Sequence, residues 1–263
     1  MANADKAQTQ YHDHFSERAP GYAIYRPGYP RELVDYLADL TLGNASKGSR
    51  SPGEEFVGGV VWEAGCGSGQ LTHVLVERFA KVFATDASAD QIAQAKPHPQ
   101  IEYRVARADA SGLPDRAADL AIAAQAAHWF DLDAYYAEVR RVVRAGGFVA
   151  LVVYGIHVTD DPQIDSIVKH FYGDTLGGFW SPQRRLVEEG YRTMPFPFDE
   201  IPSPRFEMRM EWTLAEMLGY VETWSAVGSL ARAKGRAQID AFRDEVSNAW
   251  GNPNSRRTVR WPL

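Results

Sequence analysis

The chain has 263 residues, of which 45% are hydrophobic and 24% charged, with a formal net charge of −6. This is an ordinary globular composition, its size suits one α/β domain with insertions, and no face of clustered Lys and Arg suggests nucleic acid as a partner. The longest charge-free apolar run, 145–159, is too short to cross a bilayer, the first ten residues lack the apolar core of a signal peptide, and the single cysteine, Cys66, fits a reducing, cytoplasmic setting.

Residues 1–29 are polar and aromatic with no steady period, so their aromatics must pack on the main body or over a ligand. His12 and His14 lack companions for a metal site, and none is expected. Pro30 suits a helix start, and Leu33, Leu37 and Leu40 give that helix an apolar stripe. Residues 41–59, rich in Gly and Ser, form a surface loop.

Val60, Val61 and Trp62 then open a strand that closes on Glu63. Gly65, Gly67 and Gly69 make a tight turn, and Leu71, Val74, Leu75 and Phe79 follow at helical spacing. A glycine turn between strand and helix lets the backbone approach a ligand, and the helix start favours nucleotide-like groups. A strict dinucleotide fingerprint needs glycine at position 70, which is Gln, so that fingerprint fails. Cys66 reads as a small turn residue and not as a nucleophile.

A second strand, K-V-F-A-T-D, ends in Asp86, placed where ribose-binding acids stand in doubly wound folds. Ser88 and Gln91 suggest a capping box. Strands follow at 101–105 and 119–124, the first leading to Asp109 and the second running into Q-A-A-H-W-F-D. A helix over 131–144 stops at Ala145-Gly146-Gly147, and 148–154 is a fifth strand. This alternation predicts a parallel sheet covered by helices, with ligands outside the carboxyl ends of the strands. Beyond it come helices near 161–172 and 183–189, a proline-rich stretch, and an alternating strand at 205–212. A second capping box, Thr213 with Glu216, opens a helix; another follows with Ile239, Phe242, Val246 and Trp250, and a last strand starts at Thr258.

Four stretches together carry a resemblance: F-S-E-R-A-P-G-Y-A-I-Y-R-P-G-Y-P, the run E-A-G-C-G-S-G, Q-A-A-H-W-F-D, and W-T-L-A-E-M-L-G-Y-V-E-T-W-S-A. The chain resembles class I S-adenosylmethionine-dependent methyltransferases, and within them the trans-aconitate methyltransferase-like small-molecule group. The resemblance implies a Rossmann-like, doubly wound α/β fold with a seven-stranded, mostly parallel sheet whose last strand is antiparallel and inserted next to the fifth. It implies an N-terminal lid (1–29) and a methyltransferase domain (30–263) with an insertion at about 155–203 and helices at about 213–250. It also implies that Glu63 and Gly65, Cys66 and Gly67 hold the methionine part of the cofactor, Asp86 with Ala87 the ribose, Asp109 and the Ala110 backbone the adenine, and that Gln125 lies near the methionine amino group. S-adenosyl-L-homocysteine is the product.

Methyl transfer from a sulfonium asks the protein mainly to align donor and acceptor and to exclude water. Tyr11, Phe15, Tyr22 and Trp129 are candidate aromatics for the lid and the acceptor wall, where ring faces attract a cation. If the acceptor is a hydroxyl, His128 is the candidate base; if it is a carboxylate, Arg26 is the candidate partner. The expected function is methylation of a small organic molecule at oxygen, without nucleic acid or membrane partners. The alternatives are a cofactor-binding homologue without chemistry and an NAD-type oxidoreductase.

Overall fold

A computed structural model of the chain describes residues 25–43 and 58–263. The expected lid residues 1–24, including Tyr11, Phe15 and Tyr22, lie outside the described residues. Five parallel strands form the central sheet: β1 (Val60–Ala64), β2 (Lys81–Asp86), β3 (Ile101–Val105), β4 (Ala118–Ala124) and β5 (Val143–Val152). Their spatial order is β3-β2-β1-β4-β5, so the chain reverses its direction of travel across the sheet between β1 and β4. A ligand crevice opens at such a reversal, at the carboxyl ends of the strands.

Alternation along the strands sends neighbours to opposite faces. Val61, Val82, Leu120 and Ile122 pack under helix α1 (Arg31–Leu42) and under Leu71, Leu75 and Phe79, which flank and include the short helix α2 (Thr72–Leu75). Trp62, Ala64, Ala121 and Ala123 face the other way, against Tyr135, Tyr136, Val139 and Val142 of α4 (Leu132–Val142). Small alanines on β4 leave room for the large rings of α4. Helix α3 (Ala89–Ala93) bridges β2 and β3.

The chain after β5 builds a second core. It contains β6 (Val158–Thr159), α5 (Pro162–His170), α6 (Arg184–Glu188), β7 (Glu207–Trp212), α7 (Leu214–Glu222), α8 (Ser225–Lys234), α9 (Ala237–Trp250) and β8 (Arg257–Pro262). Asp161 caps α5 through Gln163 and Ile164, and the helix runs on into a wider turn over Phe171–Thr175. Phe171 stacks on Phe242 of α9 at 4.0 Å. The Thr213–Glu216 capping box forms as expected.

Three local expectations change. The strands are not seven in one sheet: among the described residues five are parallel, and β6, β8 and β7 form a separate antiparallel sheet in that order. Strand β8 lies between β6 and β7 and pairs with both through Val259 and Arg260. It therefore has no edge there for β5. Strand β5 starts at Val143, not at 148, because Val143 already pairs with Ala118 before a bulge shifts the register. The Ser88–Gln91 box closes on one side only: the Gln91 N–H donates to Ser88 Oγ, but the Ser88 N–H donates to Asp86 instead.

Candidate cofactor and acceptor site

The glycine turn is folded by backbone and acid together. The N–H groups of Gly65 and Cys66 both donate to the Thr85 carbonyl, at 2.8 and 3.0 Å. Asp86 at the end of β2 accepts the Gly67 N–H and the Ser88 N–H, each at 2.8 Å. Gly65 has φ 71° and lies so close to Ala126 that a Cβ would stand 2.6 Å from the alanine methyl. Conformation and space thus both require glycine there.

Glu63, the last residue but one of β1, lies beneath this turn and is 2% exposed. It accepts the Thr72 hydroxyl at 2.6 Å. Burial raises its carboxyl from 4.5 to about 8; the Thr72 bond opposes the rise and the Asp86 charge adds to it. At neutral pH the acid is largely protonated, a buried carboxyl lying opposite no cation of the chain that shifts it downward.

A cavity of about 740 Å³ opens over the strand ends, within the range of roughly 300–1,000 Å³ usual for small-molecule sites. Glu63, Gly65, Cys66, Gly67, Asp86, Ala87, Asp109, Gln125, Trp129 and Arg26 all border it. These expected site residues, drawn from positions 26 to 129, are brought together by the parallel order of β2, β1 and β4. Asp109 is gripped by Arg107 through two hydrogen bonds of 2.8 and 2.7 Å, which hold its carboxyl below the ordinary range. Gln125 has φ 54° and its side-chain amide is engaged at both ends by the Tyr154 backbone, at 3.0 and 3.1 Å. Arg26 donates from Nη1 to the Tyr154 hydroxyl at 3.1 Å and its guanidinium lies 5.5 Å from the Tyr220 ring.

Two expected residues fall elsewhere. Ala110 does not border the cavity, and its N–H donates to the Arg107 carbonyl at 3.1 Å within the turn. His128 borders a side chamber of about 70 Å³, together with Arg26, Trp129, Tyr154, Trp180 and Tyr220, and not the main cavity. Its Nδ1 shares a hydrogen bond of 2.7 Å with the Tyr191 hydroxyl. Burial first, and the Arg184 charge second, lower its pKa to about 3, so the imidazole is neutral and a weak base.

The remaining wall escaped the sequence reading. Trp180, Ser181, Ser225 and Ser229 border the main cavity. Ser225 and Ser229 sit one turn apart on α8, the only pattern that could have pointed to them. Gln91 is also part of the wall: it is buried, and its Oε1 has no hydrogen-bond partner among the described residues.

A polar cavity at the reversal point, with a glycine turn, an acid on β1 and an acid on β2, defines a nucleotide-type binding fold of the class I methyltransferase kind. Comparisons agree. The family described as a methyltransferase domain matches residues 62–151. A methyltransferase of Mycobacterium tuberculosis is 30% identical over 76% of this chain and 70% of its own. One from Dictyostelium discoideum is 26% identical over 95% of this chain and 91% of its own. The solved structure of a type II methyltransferase from Anaeromyxobacter dehalogenans is 41% identical, with a TM-score of 0.79 over 90% of this chain and 95% of that one. The chain belongs to the S-adenosylmethionine-dependent methyltransferases, which sets aside the oxidoreductase alternative. The residues present fit that donor: Gln91 borders the cavity with a buried oxygen that has no donor among the described residues, and Glu63 and Asp86 offer acids to a cationic, hydroxyl-bearing ligand.

Proposed function

We propose that the protein methylates a small organic acceptor at oxygen, and that the acceptor oxygen belongs to a carboxylate. The observation that carries this reading is the composition of the main cavity. Glycine-turn backbone and acids line one side, and Arg26, Trp129 and Trp180 line the other. When bound, S-adenosylmethionine supplies an electrophilic methyl group on a sulfonium. The chain then has to hold donor and acceptor in line and keep water out. In this reading Glu63 and residues 65–67 hold the methionine end, Asp86 and Ala87 the ribose, and Asp109 the adenine edge. Gln125 fixes the end of β4 against β5 near the methionine amino group.

A carboxylate is already a nucleophile and needs no base. His128, with a pKa near 3, is poorly matched to take a proton from a hydroxyl at neutral pH. Arg26 is the charge partner that an acid needs in an apolar wall. A chain with one cysteine also suits a reducing, cytoplasmic setting.

An acceptor screen read by mass spectrometry, with the Arg26→Ala and His128→Ala variants beside the parent, tests this. Carboxylic acids should gain a methyl group. Arg26→Ala should lose transition-state stabilisation of about 2–5 kcal/mol. With S-adenosylmethionine saturating at each pH, the rate should change little between about pH 6 and pH 8, because no group titrating there acts as the base. Full turnover by Arg26→Ala, or a rate that climbs through this range and depends on His128, would overturn the carboxylate reading.

A further inference from the structure

Arg184 opens α6 and borders the side chamber but not the main cavity. Its guanidinium stands 4.8 Å from the Trp180 ring and 5.2 Å from the Tyr172 ring. Its Nε donates to the Tyr172 hydroxyl at 2.5 Å, and that hydroxyl donates to Glu188 at 2.7 Å. The nearby acid is thus engaged by the phenol, and among the described residues no carboxylate forms an ion pair with Arg184. The next residue, Arg185, is paired with Glu189 at 2.6 Å. Stacking and the Nε bond hold the Arg184 head in place, and its terminal N–H groups form no hydrogen bond to a described residue. A cation fixed in an aromatic wall without a counter-ion is a prepared anion site.

The size of the chamber narrows what it takes. About 70 Å³ is the space of a few waters, enough for a carboxylate but not for a whole acceptor. The chamber and the main cavity share seven lining residues, among them Arg26, Trp129, Tyr154, Trp180 and Ser225, so one ligand can occupy both. The end held at Arg184 is then remote from the glycine turn and is not the end that reacts.

We propose that the side chamber is an anion subsite in which Arg184 grips a non-reacting carboxylate of the acceptor, and that the acceptor is an aryl acid carrying its methylated oxygen at the opposite end. This rests on the methyl-transfer reading above. The flat body of the acceptor lies against Trp129 and Trp180, where stacking is favourable. Arg26, common to both spaces, faces the middle and the reacting end.

Benzoate and its neutral isostere benzamide are the probes, titrated by calorimetry into the full-length protein with and without S-adenosylhomocysteine. Benzoate should bind about tenfold tighter than benzamide, a preference of the size expected for a charge-assisted, two-pronged contact. Arg184→Met should abolish the preference, Arg184→Lys should keep part of it, and affinity for S-adenosylhomocysteine should be unchanged in both. Equal affinities in the parent protein, the absence of binding by either probe, or a preference that survives Arg184→Met would overturn the subsite. Failure of the parent protein to bind S-adenosylhomocysteine would instead count against the methyl-transfer reading, while the two acid probes still report on the chamber.

Discussion

Glu63 has almost no water around it, and burial brings the loss of its proton close to neutral pH. Its carboxyl is raised from 4.5 to about 8 by burial. Below the lower value the group is neutral whether the chain is folded or not. Between the two values only the unfolded chain ionises it, so its contribution to stability is lost as the pH rises through about 8. A ligand that brings positive charge to the turn should favour the ionised form. The affinity for S-adenosylmethionine should therefore rise with pH between about 6 and 8, by at most about tenfold per unit, and level off above. Glu63→Gln should flatten that slope. Calorimetry across this range decides the matter, and parallel slopes for the parent and the variant would show that Glu63 takes no part. Asp86 differs from Glu63 because two backbone N–H groups already point at it; it shapes the turn before any ligand arrives.

The segment joining β5 to β6 carries a second buried base. His157 is 2% exposed, between the rings of Tyr220, Trp224 and Trp261 at 5.5, 5.9 and 5.7 Å. Neither ring nitrogen has a hydrogen-bond partner among the described residues. Burial lowers its pKa from 6.5 to about 3. A depressed base contributes stability that is present above 6.5 and is lost as the pH falls towards 3. Replacing it by an aromatic ring without nitrogens removes both unpartnered ring nitrogens, and leaving a buried polar group unsatisfied costs about 1–3 kcal/mol. His157→Phe should therefore keep or raise Tm near neutral pH and lose part of the acid sensitivity of the parent. Thermal melts at several pH values check this, and an unchanged acid slope would remove His157 from the account.

The elements themselves show what could be read from the sequence. Strands β1, β2 and β4 were legible because apolar runs between glycine and acidic residues repeat at βα spacing. Glu63, Asp86 and Asp109 were legible as strand-end acids for the same reason. Ala110 was not, because whether an N–H is free depends on a turn that forms its own hydrogen bond. The sequence puts His128 after β4, but which of two spaces its ring borders depends on packing against Trp129 and Tyr191, the latter 63 residues away. Trp180 and Arg184 reach the site through packing of the second core, which no local period records.

At the scale of the molecule, the second core hangs on its central strand. Trp261 of β8 is fully buried, donates from Nε1 to the Tyr220 hydroxyl at 3.0 Å, and meets Trp212 edge-on at 5.0 Å. Its removal would open a cavity between β7, α7 and β8 and leave a buried phenol without its donor. Trp261→Ala should cost about 3–5 kcal/mol. Chemical denaturation followed by two probes would measure this, and a loss below about 1 kcal/mol would mean that the antiparallel sheet is held mainly by its other contacts. Tyr220 also faces Arg26, so the loss should extend from stability to the acceptor wall.

The wall of the cavity is drawn from residues ahead of the first strand, from the stretch Glu63 to Asp131, and from the chain beyond the last parallel strand. Glu63 to Asp131 include the glycine turn and the strand-end acids, whereas Tyr154, Trp180 and Ser225 follow the last parallel strand, and Arg184 joins them at the side chamber. On the proposed reading, substitutions confined to the later stretch would change what is methylated without touching the glycine turn. A change of substrate would then need neither a new cofactor nor a new sheet, only new residues beyond the last parallel strand.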